Sequence, residues 1–419
     1  MSVATGERPG PAPRTGRHLI VLGPALLGDE DASRAALRDL LGAEDVTSTR
    51  GGGEPGARPQ PTLFAELGVA VATIPPDRVA AVAADERVLS VEPERVLHAL
   101  GGSVSEEYLR GFRDAAAYLH SVAAEGLPEP TAPEFEDTPE LTWGLQATGV
   151  PAAVETGAGT VIAVLDTGLD LTHPGFAGRE IEARSFVEGE EPQDGHGHGT
   201  HCTGTACGPL APESGRRYGV AHEARILVGK VLSDAGSGTD AEILAGMNWA
   251  IASGATVISM SLGADVNEIS TAYETVGRRA LAAGTLVVAA AGNNASRSEG
   301  DPGFVGIPAN SPSIMAVGAV DNTLAVADFS ARSSGLAGGQ VDLAAPGVAV
   351  YSSWPMLEHH NTISGTSMAT PHVAGIAALW AQRTGATGEA LWAQLVRSAR
   401  RLPLPSEDVG AGLVQAPPP

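Results

Sequence analysis

Lysine is nearly missing from this sequence: Lys230 is the only one in 419 residues, so arginine carries almost all of the positive charge. Cysteine occurs twice, at Cys202 and Cys207, which excludes a disulfide framework. Basic charge is scarce overall. With 26 Lys plus Arg against 49 Asp plus Glu the formal net charge is −23. That balance repels phosphates and anionic lipid heads, so no nucleic acid and no membrane surface is expected as a partner. No segment reaches the roughly 18–20 continuous apolar residues of a transmembrane helix, and a soluble chain is expected. Residues 18–28, HLIVLGPALLG, follow Arg14 and Arg17 in the manner of a secretory core. The run is short, is interrupted by Pro24 and leads into Asp29-Glu30-Asp31 without a small-x-small cleavage site. We read it as a first β-strand and expect cytoplasmic residence.

What is present suits a large buried core: 43% of residues are hydrophobic, and the length allows two or three domains of about 100–200 residues. Residues 1–16 are rich in Gly, Pro and Arg without apolar periodicity, the composition of a disordered tail. From 17 to 100, strands are expected at 18–22, 68–74 and 88–92, helices around 32–42 and 76–84, and a Gly/Pro loop at 51–61. That order predicts a small α+β domain with helices on one face of an antiparallel sheet. Residues 101–137 read as a connector, helical over 105–124 and then acidic and Pro-rich. From 138 to 419, near-continuous apolar strands at 161–165, 226–232, 257–260, 286–290 and 314–320 alternate with helices. The helices fall at about 240–253, 270–283, 367–383 and 388–400. This pattern predicts an α/β fold, a doubly wound, mainly parallel sheet covered on both faces. In that class, sites gather beyond the carboxyl ends of the strands.

Four segments there bear reactive residues. Val164-Leu165-Asp166-Thr167-Gly168 ends an apolar strand in a carboxylate and a turn glycine; alone, a structural turn explains it. Gly157-Ala158-Gly159 precedes that strand and lacks a third glycine, which argues against a dinucleotide loop. Gly195-His196-Gly197-His198-Gly199-Thr200-His201 holds three histidines but no HExxH pattern. Its glycines suit close backbone approach at a helix start better than a set of metal ligands. Gly365-Thr366-Ser367-Met368-Ala369-Thr370-Pro371-His372 opens a helix with a serine. That serine is either a plain cap or a nucleophile in the favourable field of a helix N-terminus. Ala289-Ala290-Ala291-Gly292-Asn293-Asn294 ends a strand in an amide that can form a turn or donate to a developing oxyanion.

Asp166, His198 and Ser367 in that order, with Asn293 between the last two, resemble the subtilisin-like serine peptidases, the subtilases. The resemblance covers nearly all of 138–419, including Trp143-Gly144-Leu145, His173-Pro174, Lys230-Val231-Leu232 and Ser261-Leu262-Gly263. It implies a serine endopeptidase working through an acyl-enzyme. Ser367 would attack a peptide carbonyl, His198 take its proton, Asp166 orient the imidazole, and Asn293 with the Ser367 N–H hold the oxyanion. His196, His201 and His372 stay structural in this reading. The implied polypeptide substrate lies as an extended strand between Gly236-Ser237-Gly238 and Ser261-Leu262-Gly263. Its primary pocket would be walled by Ala290, Ala291, Gly292 and Gly306, small and uncharged, which predicts a large apolar residue on the acyl side of the cut.

The family's tight calcium site takes a carboxylate from the residue after His-Pro; Gly175 stands there, so no metal and no other cofactor is expected. Cys202 resembles the free thiol that the proteinase K-like subgroup carries after its catalytic-His motif. Cys207, five residues on, points about 140° away on a helix, which argues against a bridge. Residues 17–100 resemble the family's inhibitory propeptide, an intramolecular partner, with Leu100–Gly101 the expected self-cut and a cut within 101–137 the alternative. General proteolysis, maturation of one dedicated peptide and a non-catalytic peptide-binding role compete, and the four intact residues argue against the last. A monomer is expected.

Overall fold

Leu19, Ile20, Val21 and Leu22 are all buried, because they lie in β1 (Arg14–Leu22), a strand with both faces covered. The computed structural model describes residues 12–49, 60–100 and 134–419; the expected connector helix at 105–124 lies outside them. After β1 come α1 (Glu30–Leu41), β2 (Thr47–Thr49), β3 (Thr62–Phe64), β4 (Val69–Ala72), α2 (Val79–Ala83) and β5 (Val88–Ala99). β1 pairs antiparallel with β4 and β5, β4 antiparallel with β3, and β3 parallel with β2. Ile20, Leu22, Ala70 and Ala72 pack with Leu37, Leu40 and Val82 of α1 and α2. Leu19, Val21, Val69 and Val71 point the other way, into a core shared with the larger domain. A sheet sandwiched in this way loses the apolar–polar alternation of a half-exposed strand.

Two expected boundaries shift. β1 begins at Arg14, inside the stretch read as a tail ending at 16, because Arg14 sits opposite Arg95 and the Val96 N–H bonds the Pro13 carbonyl at 2.9 Å. β5 continues from the expected end at 92 to Ala99. Its second half, polar and containing Pro93, finds its partners in the larger domain.

That domain opens with α3 (Trp143–Ala147), β6 (Val161–Asp166), β7 (Ile181–Ser185), α4 (His198–Cys207) and β8 (Arg225–Lys230). β9 (Ser237–Thr239), α5 (Asp240–Ala252), β10 (Val257–Met260), β11 (Leu262–Gly263), α6 (Thr271–Ala282) and β12 (Leu286–Ala290) follow. β13 (Met315–Val320), β14 (Leu343–Pro346), the hairpin β15 (Val350–Ser353) and β16 (His360–Ile363), α7 (Thr366–Thr384) and α8 (Gly388–Ser398) complete the core. Seven strands form a parallel sheet in the order β14-β13-β12-β10-β6-β8-β7. Alternate residues of β6 enter opposite cores: Ile162 and Val164 meet α4, α7 and α8, while Ala163 and Leu165 meet α5 and α6. The fold is therefore the doubly wound α/β class. The chain fills β7 and β8 on one side of β6 and then crosses to β10 on the other, so the crevice at this switch point opens beside Asp166.

Candidate active site

Asp166 is the last residue of β6 and His198 the first of α4. The two elements meet closely because glycine lies between them: a Cβ on Gly199 would stand 2.2 Å from the Gly168 carbonyl oxygen. Gly197 adds a left-handed turn, φ 104°, that a side chain would strain. His198 Nδ1 lies 2.7 Å from Asp166 Oδ1, and both side chains are buried. With the carboxylate as acceptor the ring proton sits on Nδ1, which leaves Nε2 as the basic nitrogen. Burial pulls the imidazole toward its neutral form, but the charge and hydrogen bond of Asp166, with Cys202 beside it, together outweigh burial and hold His198 well above the ordinary histidine value. His201 and His372 are pushed down to about 3 and about 4, chiefly by burial. They bond the carbonyls of Val350 and Met368, so they are neutral packing residues.

Ser367 lies in the first turn of α7. Cys202 Sγ joins it to the pair, 3.8 Å from His198 Nδ1 and 3.6 Å from the Ser367 carbonyl oxygen. The Ser367 hydroxyl donates to the Ser261 carbonyl at 2.9 Å, and His198 Nε2 has no hydrogen-bond partner among the described residues. The expected serine–histidine link is thus not made in this arrangement. Asn293 Nδ2 donates to the Leu100 carbonyl oxygen. Its Oδ1 is fixed by the Thr366 N–H at 3.0 Å and hydroxyl at 2.9 Å, which sets the amide the right way round.

The substrate-contact residues expected from sequence come together as a cleft, and β5 fills it. Leu97 pairs with Gly238 and His98 with Ser237, while Ala99 pairs with Leu262 and His98 with Gly263, all antiparallel. Ala99 N–H bonds the Gly236 carbonyl at 3.0 Å, and Leu100 N–H bonds the Ser261 carbonyl at 3.1 Å. A Cβ on Gly263 would fall 2.9 Å from Leu100 Cδ1, so the missing side chain there leaves room for Leu100. Ala290 and Ala291 are buried at the end of β12, and the Gly306 N–H bonds the Ala291 carbonyl at 3.1 Å, tying Gly306 to the Ala290-Ala291-Gly292 wall.

The sequence pattern of the subtilase family matches residues 157–412. The chain belongs to the subtilase family. It is 41% identical to subtilisin DY of Bacillus licheniformis over 236 residues, 56% of this chain and 81% of that protein. It is 37% identical to subtilisin E of Bacillus subtilis over 303 residues, 69% of this chain and 76% of that one. M-protease of Shouchella clausii is 40% identical over 266 residues, 61% and 65% of the two chains. This subtilase is a serine endopeptidase, and its substrates are polypeptides.

Sequence reasoning passed over two residues here, Leu97 and Asp194. Leu97 is fully buried among Leu232 and Leu262, a second apolar anchor three residues before Leu100. Ser261, expected on the cleft edge, has a second contact that its motif does not reveal: its carbonyl holds both the Leu100 N–H and the Ser367 hydroxyl. Asp194 is buried and accepts five hydrogen bonds around the start of α4. A signal existed for Asp194, since an acidic residue just ahead of a helix start is the usual cap.

Proposed function

We propose that this subtilase is made as a self-inhibited precursor and that its N-terminal domain occupies the cleft as a product-like inhibitor, with Leu100 the residue on the acyl side of the self-cut. The observation that carries this reading is the position of the Leu100 carbonyl oxygen against Asn293 Nδ2, at the end of a strand paired on both edges with the cleft. Gly101 itself lies outside the described residues. In the reaction, Ser367 Oγ turns from the Ser261 carbonyl to His198 Nε2, gives up its proton there and attacks the peptide carbonyl. Asp166 stabilises the imidazolium that results, and Asn293 stabilises the tetrahedral oxyanion. His198 then protonates the leaving amine, and water repeats the sequence on the acyl-enzyme.

Recognition would rest on main-chain pairing plus two apolar side chains, those of Leu97 and Leu100. We further propose that the family's tight calcium site is absent. A Cβ on Gly175 would meet Tyr218 Oη and His173 Nδ1, each at 3.0 Å, so the residues present do not fit a cation ligand there. The nearby Asp170 carboxylate is already satisfied by Thr172, Gln193 and the Met356 N–H.

Expression of the full chain beside Ser367→Ala tests the precursor reading. The parent should yield a mature amino terminus at Gly101 and react with a fluorophosphonate, and Ser367→Ala should do neither. A mature terminus elsewhere, or processing that survives Ser367→Ala, overturns the assigned self-cut.

A further inference from the structure

We propose that Thr167 and Asp194 act as one positioning clamp that fixes the Asp166 carboxylate against the His198 ring, an inference that rests on the roles proposed for that pair. Asp194 Oδ1 accepts from Thr167 Oγ1 at 2.9 Å, His196 N at 2.9 Å and Gly197 N at 2.8 Å. Its Oδ2 accepts from Thr200 N at 2.8 Å and Thr200 Oγ1 at 2.7 Å. The carboxylate is only 3% exposed, and a buried charge in this position is tolerable because five donors replace its water shell.

A cap would bond the helix start alone. Asp194 also reaches across to the strand that ends in Asp166, and Thr167 returns the connection. The Thr167 hydroxyl, while donating to Asp194, accepts the Gly199 N–H at 2.8 Å. The Thr167 N–H donates to Asp166 Oδ1 at 2.7 Å, the same oxygen that meets His198 Nδ1. A closed ring therefore runs from Asp166 through Thr167 to Asp194, and from both of these to the backbone on either side of His198. The far side is braced by Lys230, whose Nζ donates to the Thr167 carbonyl at 2.7 Å and bonds Asp234, which accepts the Gly195 N–H at 3.0 Å. Among the described residues neither Thr167 nor Asp194 is hydrogen-bonded to the cleft strand. Their effect is on where the ring nitrogen points, and a displacement of about 1 Å in such a site is worth on the order of 100-fold in rate.

The test compares Thr167→Ser, which keeps the hydroxyl, with Thr167→Val, which keeps the shape and loses both hydrogen bonds, beside Asp194→Asn and the double variant. Peptide hydrolysis is followed well below each variant's Tm. Thr167→Val should lower kcat by roughly 10–100-fold with KM within about threefold, and Thr167→Ser should stay within about threefold of the parent in kcat. The double variant should fall no further than the worse single one, since two halves of one clamp do not add. Loss of Tm with kcat retained in Thr167→Val, or a rise in KM alone, overturns the clamp. Should Asp194→Asn fail to fold, the Ser/Val pair at 167 still decides. Asp166→Ala is the control: if it keeps the parent's kcat, the proposed roles of the pair fail rather than the clamp.

Discussion

Asn293 presents nitrogen rather than oxygen to the Leu100 carbonyl because its oxygen is already engaged by both donors of Thr366. An aimed neutral donor costs no reorganisation when charge develops on the substrate oxygen. Asn293→Ala should therefore lower kcat by about 100–1000-fold with little change in KM, a magnitude known from a subtilisin itself rather than derived from this geometry. Cys202 is fully buried, and its sulfur lies 3.8 Å from His198 Nδ1. Burial pushes the thiol up, so it is protonated at neutral pH and slow toward ordinary oxidants. A mercurial binding there would wedge the histidine from its carboxylate. Stoichiometric mercurial should abolish peptide hydrolysis, thiol reductants should leave it unchanged, and Cys202→Ser should resist. Full activity after mercury modification of Cys202 would remove the thiol from any contact with catalysis.

β5 behaves as two elements. Its first half completes the sheet of the small domain, and its second half joins the cleft edges β9 and β11. At the junction two glutamates point into the larger domain. Glu92 accepts from Ser270 Oγ at 2.7 Å and Ala272 N at 3.1 Å, at the start of α6. Glu94 accepts from Ala241 N at 3.3 Å, at the start of α5. Free N–H groups at a helix start favour an anion by about 0.3–2 kcal/mol. On the proposed precursor reading, Glu92→Gln should thus weaken the hold of the cleaved small domain on the enzyme by about fivefold, seen as faster loss of inhibition after the proposed self-cut. An unchanged release rate would mean that the strand pairing alone sets the affinity.

At the scale of the whole molecule, a buried carboxyl of the larger domain lies beneath the small one. Asp240 accepts from the Arg95 N–H at 2.7 Å and the Tyr273 hydroxyl at 2.8 Å, with the Arg95 guanidinium and the Glu94 carboxylate also acting on it. Burial beneath β5 dominates and pushes Asp240 up to about 7. Departure of the small domain would uncover this carboxyl and return it to the ordinary range near 4. An acid whose value is higher docked than free takes up a proton on docking, so its contribution to docking is greatest below about pH 4 and is lost as pH rises to about 7. The proposed inhibition by the cleaved domain should weaken across that window, and Asp240→Asn should flatten the dependence. A pH-independent inhibition constant in the parent would contradict the linkage.

The residues proposed to carry the chemistry stand out in sequence because each sits in a contiguous motif whose neighbours shape its own turn, as Gly197 and Gly199 do for His198. The parallel sheet was legible as well, since strands covered on both faces leave unbroken apolar runs. The same rule shapes β1, whose apolar run is covered by two different cores. Tertiary structure alone decided the turning of the Ser367 hydroxyl toward Ser261 and the reach of Asp194 to Thr167. Each joins groups distant along the chain, and the bond forms only after separately patterned surfaces have docked. Local composition determines which surfaces exist, and the packing of whole elements determines which of their polar groups meet.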